Sequence, residues 1–160
     1  KKLQATSGDW YNAALAYYFA AAYTPKTDSV NRVSLAMKGD TSFAKAIGIN
    51  AKWPPFFLFR ARTNNLIDYS GDKWLAAPYY EQYLTVIGAL KAENSTTYKE
   101  KKDDTYEALR YLSGYYLTVS KDTVKAEDAI KKALEIKPED PDGLKSMLPG
   151  ATPATPAPKK

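Results

Sequence analysis

The residues from Tyr106 to Pro138 constrain this chain most. They hold two amphipathic segments in tandem: Tyr-Glu-Ala-Leu-Arg-Tyr-Leu-Ser-Gly-Tyr-Tyr-Leu, a short break, then Ala126, Ile130, Ala133, Leu134 and the closing Pro138. The apolar residues recur every three or four positions, as on one face of a helix. Small residues fall where two helix backbones must approach each other. A helical hairpin of this kind cannot bury its apolar face alone, so it implies neighbours stacked against it.

The rest of the chain supplies candidates for those neighbours. Ser7-Gly8-Asp9 offers an N-terminal cap before the very apolar run from Trp10 to Tyr23, which reads as a helix buried on more than one face. Pro25 and Lys26-Thr27-Asp28-Ser29 interrupt it. A second helix is predicted over about 34–49 and a third over about 55–67, with Trp53-Pro54-Pro55 between them and proline suited to a first turn. Asp68-Tyr69-Ser70-Gly71-Asp72 is a turn. A fourth helix carries Ala76, Tyr80, Tyr83, Ile87 and Leu90, with Pro78 tolerated in its first turn. Polar residues follow, then the mixed charges of Lys99-Glu100-Lys101-Lys102-Asp103-Asp104, read as a solvated face. Helices five and six span about 105–119 and 123–137, and a short capping helix covers about 140–148. The Pro/Ala/Thr-rich stretch 149–160 can form no packed core and is expected to be disordered.

Composition excludes several classes of function. The chain has 160 residues, enough for one domain with a real core, and no window apolar enough for a membrane-spanning helix. It contains neither Cys nor His, which removes the thiolate nucleophile, the commonest metal ligand and the commonest general base. Either redox compartment, cytoplasmic or periplasmic, is compatible with that. Of the net charge of +5, four charges come from Lys1, Lys2, Lys159 and Lys160; setting these aside leaves a body of net charge +1, a poor footprint for nucleic acid. Asp68 and Asp72 bracket a turn rather than a reacting centre. Gly48, Gly71 and Gly88 are isolated, so no phosphate-cradling loop is present. No cofactor and no metal is expected, and the chain reads as non-enzymatic. It begins Lys1-Lys2-Leu3 without Met, as a fragment or processed form would. Residues 1–8 show no capping repeat, which leaves room for further repeats ahead of them in a parent chain.

The small-and-large series described above resembles that of the tetratricopeptide repeat (TPR) family, irregular bacterial members in particular. In a first pair, Trp10, Ala13, Ala14 and Tyr17 take the first-helix places, and Gly39, Phe43 and Ala46 the second-helix places; Ala51 stands where Pro is usual. In a second pair the places fall to Phe57, Arg60, Ala61 and Asn64, then Ala76, Tyr80 and Tyr83; Arg60 and Asn64 depart from the pattern. In the third, Leu109, Leu112, Ser113 and Tyr116 match, followed by Ala126, Ile130, Ala133 and Pro138. The spacing is irregular: Ala14, Ala61 and Ser113 lie 47 and 52 residues apart, against a usual period of about 34. The surplus falls in turns and between repeats, where insertions are tolerated.

The resemblance implies an all-α fold: an α-solenoid of about three TPR-like helix-turn-helix repeats (8–52, 54–92 and 103–138) plus the C-terminal capping helix, together a repeat domain over 8–148. It also implies a protein–protein interaction module with a concave groove lined by first helices. The flanking first-helix positions that would face the groove are Tyr11, Leu15, Tyr18 and Phe19; Leu58, Arg62, Asn65 and Leu66; and Arg110, Gly114, Leu117 and Thr118. Such a groove suits an extended or helical protein segment bearing an acidic group, gripped by guanidinium. Two alternatives stay open: the aromatics pack in the core, and each Arg pairs with a neighbouring carboxylate. Some TPR domains clamp a partner's terminal carboxylates with Lys and Asn; only Asn65 is suggestive here and the Lys residues are missing, so that clamp is not expected. The runner-up functions are a structural segment of a larger assembly and a nucleic-acid-binding helical repeat.

Overall fold

The computed structural model describes residues 4–148, and the stretch 149–160, expected to be disordered, lies outside them. Six α-helices are present among the described residues: α1 Ser7–Tyr23, α2 Ser29–Ile49, α3 Pro54–Ile67, α4 Ala77–Ala92, α5 Lys102–Tyr115 and α6 Thr123–Ile136. A π-helical turn, Tyr116–Ser120, continues α5, and a 3-10 turn, Leu144–Met147, follows α6. The described residues contain no helix long and apolar enough to cross a membrane and no acidic cluster able to hold a metal ion.

Local chemistry sets most of the boundaries. The cap of α1 is Thr6 rather than Ser7: its hydroxyl oxygen accepts the Asp9 N–H at 3.2 Å, while the Asp9 carboxylate accepts the Thr6 N–H at 2.8 Å. This reciprocal box satisfies two donors that the first turn would otherwise leave open. Asp28 caps α2 by accepting the Asn31 N–H at 3.3 Å. That helix therefore starts five residues before its predicted beginning, because the polar stretch read as an interruption is itself the cap. Pro54 and Pro55 open α3, and Pro78 lies in the first turn of α4, where no N–H is missed. Asp122 caps α6. The expected helix over 140–148 is reduced to the single 3-10 turn. Asp140 and Gly143 adopt left-handed backbone angles (φ 53° and 69°), and the Asp140 carboxylate accepts the N–H groups of Leu144 and Lys145 at 2.6 and 2.9 Å. The chain is thus turned twice before a helix can propagate.

The chain divides into two compact units, the first running to Glu100 and the second starting at Lys101. In the first, α1 packs on α2, α2 on α3 and α3 on α4, and α3 also meets α1. Small residues make these approaches possible. A Cβ added at Gly39 of α2 would meet Thr63 Cγ2 of α3 at 3.4 Å, and the Ala14 carbonyl oxygen and Tyr17 Cβ of α1 at 3.5 Å each. Ala14, Ala21, Ala36, Ala46 and Ala61 are fully buried, as are the large Phe43, Tyr80 and Tyr83. In the second unit α5 packs on α6, the π turn touches both, and Leu144 is buried against α6.

The two positions of α3 that depart from the repeat pattern form a polar clamp. Arg60 donates from Nε and Nη2 to the two oxygens of Asp40 on α2, at 2.7 and 3.2 Å. Asn64 Nδ2 donates to the same carboxylate at 2.7 Å and to the Arg60 carbonyl at 3.0 Å. The guanidinium carbon also lies 4.3 Å from the centre of the Tyr79 ring on α4. A fork-shaped cation matched to a carboxylate in this way fixes register as well as contact.

Two outcomes follow for denaturant unfolding. Gly39→Ala is tolerated, since its new methyl makes ordinary contacts and alanine favours helix by up to about 1 kcal/mol, whereas Gly39→Leu overpacks the site and loses about 2 kcal/mol. Asp40→Ala leaves Arg60 and Asn64 without their acceptor. Because the two charged side chains keep 18% and 24% of their surface accessible, solvent screening brings the loss to about 2 kcal/mol, below the fully buried range. Pairing Asp40→Ala with Arg60→Met recovers part of it.

Candidate partner-binding face

Three of the expected first-helix positions of unit one, Tyr11, Tyr18 and Arg62, come together around a residue that the repeat pattern did not single out. Phe59 of α3 lies at the centre: Tyr11 reaches its ring edge-on at 6.2 Å, Tyr18 at 5.5 Å, and the Arg62 guanidinium lies 5.1 Å from its centre. Tyr18 continues to Phe19 at 5.1 Å, and Phe19 to Tyr23 at 6.5 Å. Phe19 is 45% exposed and Tyr23 84%. The result is an aromatic surface with a cation at its edge. Phe59 could have been found from sequence, because it stands one turn from both Phe56 and Arg62 and shares their side of α3.

The expected groove residues divide by depth. Tyr11 belongs largely to the core, with its ring 5.9 Å from Phe43 and 5.1 Å from Phe56. Burial pushes its hydroxyl pKa up to about 12; nearby Tyr98 adds to the shift and Arg62 opposes it. Leu15, Tyr18 and Arg62 are half-buried. Leu58 is 2% exposed and cannot line a surface. α3 packs against α1, α2 and α4, and three consecutive residues near its start, Phe56, Phe57 and Leu58, are all buried, so no single-stripe pattern applies there. Asn65 is turned toward α4, where its side-chain amide donates to the Tyr80 hydroxyl at 3.3 Å. Leu66 lines a cavity beside α2 instead.

Arg110 and Leu117 belong to the second unit. Leu117 lies in the π turn and is half-buried, as is Gly114, while the Thr118 hydroxyl donates back to the Gly114 carbonyl at 2.7 Å. Arg110 faces a carboxylate of its own chain, with Nε 3.8 Å from Asp142 Oδ2. The Tyr106 hydroxyl donates to that oxygen at 2.8 Å. Lys137 lies 4.6 Å from the centre of the Tyr106 ring and 2.9 Å from Asp103 Oδ1. Burial, then the bond to Asp142, pushes the Tyr106 hydroxyl pKa up to about 12. At 3.8 Å and with both side chains well solvated, the Arg110–Asp142 pair contributes little to stability by itself.

The raised tyrosine pKa values carry a pH dependence. A phenol that ionises near 10 when unfolded and near 12 when folded favours the folded state fully below pH 10 and loses that contribution as pH rises toward 12. Tyr11→Phe should therefore flatten the loss of stability over this interval, as followed by denaturant unfolding at a series of alkaline pH values. An unchanged slope would show that Tyr11 ionises freely in the fold.

No protein-family model matches the chain, and no curated protein does. Among solved structures, the C-terminal part of a TPR repeat-containing protein from Cytophaga hutchinsonii is similar, with 27% sequence identity and a TM-score of 0.64. The likeness covers 90% of this chain and 48% of the other, so this chain spans about half the length of the one it matches. The helix-turn-helix pairs, the small residues at their crossings and this likeness agree: the fold is all-α and TPR-like, of the α-solenoid type.

Proposed function

We propose that this chain is a non-enzymatic protein–protein interaction module, and that a partner segment docks on the first-helix face around Phe59. The observation that carries the reading is the aromatic run from half-buried Tyr18 to exposed Phe19 and Tyr23, with Phe59 and Arg62 adjoining Tyr18. Tyrosine and phenylalanine offer rigid contact area at small entropic cost, and guanidinium suits an acidic group on the partner. The helix pairs correspond to repeats over 8–52, 54–92 and 103–138, and the 3-10 turn with Leu144 acts as the cap of the last pair. The likeness to a TPR protein supports a scaffold of this general kind.

A second reading is a structural segment of a larger assembly. It draws on the apolar residues left exposed on α1 and α2: Tyr23 at 84%, Val30 at 81% and Met37 at 57%. Size-exclusion chromatography with light scattering separates the two, since obligate association favours the structural segment and a stable monomer favours the module.

A photo-crosslinking amino acid at position 19 would capture the partner directly. Against that partner, Phe19→Ala and Arg62→Ala should each weaken binding about tenfold or more, while the exposed Phe19 change leaves the melting temperature almost unmoved. Unaltered affinity in both variants would rule out this face.

A further inference from the structure

Away from the aromatic face, a cavity of about 60 Å³ lies between the beginning of α2 and the end of α3. It is lined by Lys26, Ser29, Arg32, Val33, Leu66 and Tyr69. Arg32 Nε is buried and has no hydrogen-bond partner in the protein. Neither Arg32 nor Lys26 makes an ion pair with any carboxylate among the described residues. The carboxylates closest in sequence hold other groups: Asp28 accepts the Asn31 N–H, and one oxygen of Asp68 accepts the Lys73 N–H. The second oxygen of Asp68 is buried without a partner, but Asp68 does not line the cavity. A buried guanidinium N–H without an acceptor costs free energy that a bound acceptor would return. Two cations, a hydroxyl and an apolar wall of Val33 and Leu66 thus converge on a space with room for about two water-sized groups.

We propose that this cavity is a binding site for a single carboxylate-sized oxyanion, held by Arg32 and Lys26. Arg32 supplies the planar, directional donors and Lys26 a flexible charge at the rim. Ser29 contributes a hydroxyl donor, and the apolar wall keeps the site small.

The proposal is tested on the full chain, labelled with ¹⁵N, by titrating sodium acetate and comparing it with sodium chloride at matched ionic strength. The expected result is a saturable movement of the Arg32 Nε–Hε resonance, with the Ser29 and Tyr69 amides following, under acetate and not under chloride. Lys26→Gln should weaken acetate about tenfold, the value of one charge-assisted hydrogen bond, and Lys26→Arg should restore it. A parallel titration with inorganic phosphate separates anion shapes: saturation by phosphate alone overturns the carboxylate assignment. If neither anion exceeds chloride, the cavity holds water and the site is refuted. Acetate shifts of the Ser29 and Tyr69 amides that persist in Arg32→Gln refute it as well.

Discussion

The first unit depends on one crowded point, the crossing at Gly39. Three helices meet there, with Ala14 and Tyr17 arriving from α1 and Thr63 from α3, all at contact distance from where a side chain would begin. Close approach of backbones is what lets Phe43 and the neighbouring aromatics interlock instead of being held apart. Dispersion contacts fall away within a fraction of an ångström, so small residues at a crossing decide how much of the large residues' surface is used. The buried alanines of α1, α2 and α3 serve the same end.

Around that crossing the second helix pair replaces apolar packing with a fixed polar contact. Arg60 and Asn64 stand where a TPR-like pattern would put Leu and Tyr, and with Asp40 of α2 they satisfy one another in a geometry that tolerates little sliding. A hydrophobic contact would stabilise as well but would set the register less strictly, because apolar surface has no direction. The same logic recurs in the second unit on a smaller scale, where Tyr106 is held between Lys137 above its ring and Asp142 at its hydroxyl.

The aromatic face owes its character to depth. Tyr11, Tyr18 and Phe19 all lie on α1, yet the first joins the core, the second touches Phe59 from the side and the third stands in solvent. Arg62 lies beside Phe59, and Arg110 in the second unit faces Asp142.

The helical character, the breaks between helices and the small-residue series were legible in the residues themselves. Each is a local property: a periodicity, a proline, a cap within four positions. The departures at Arg60 and Asn64 were visible too, but not their meaning, since their acceptor Asp40 lies twenty or more residues away. Leu58 was misjudged because a helix packed against three others buries more than one stripe, and Phe59 was missed because its ring partners Tyr11, Tyr18 and Phe43 come from α1 and α2. Arg110 meets Asp142 just past the left-handed turn at Asp140, which redirects the chain after α6. Short-range preferences were therefore sufficient for the helices, while the depth and partners of each side chain were decided by which surfaces the folded chain brought within a few ångströms of one another.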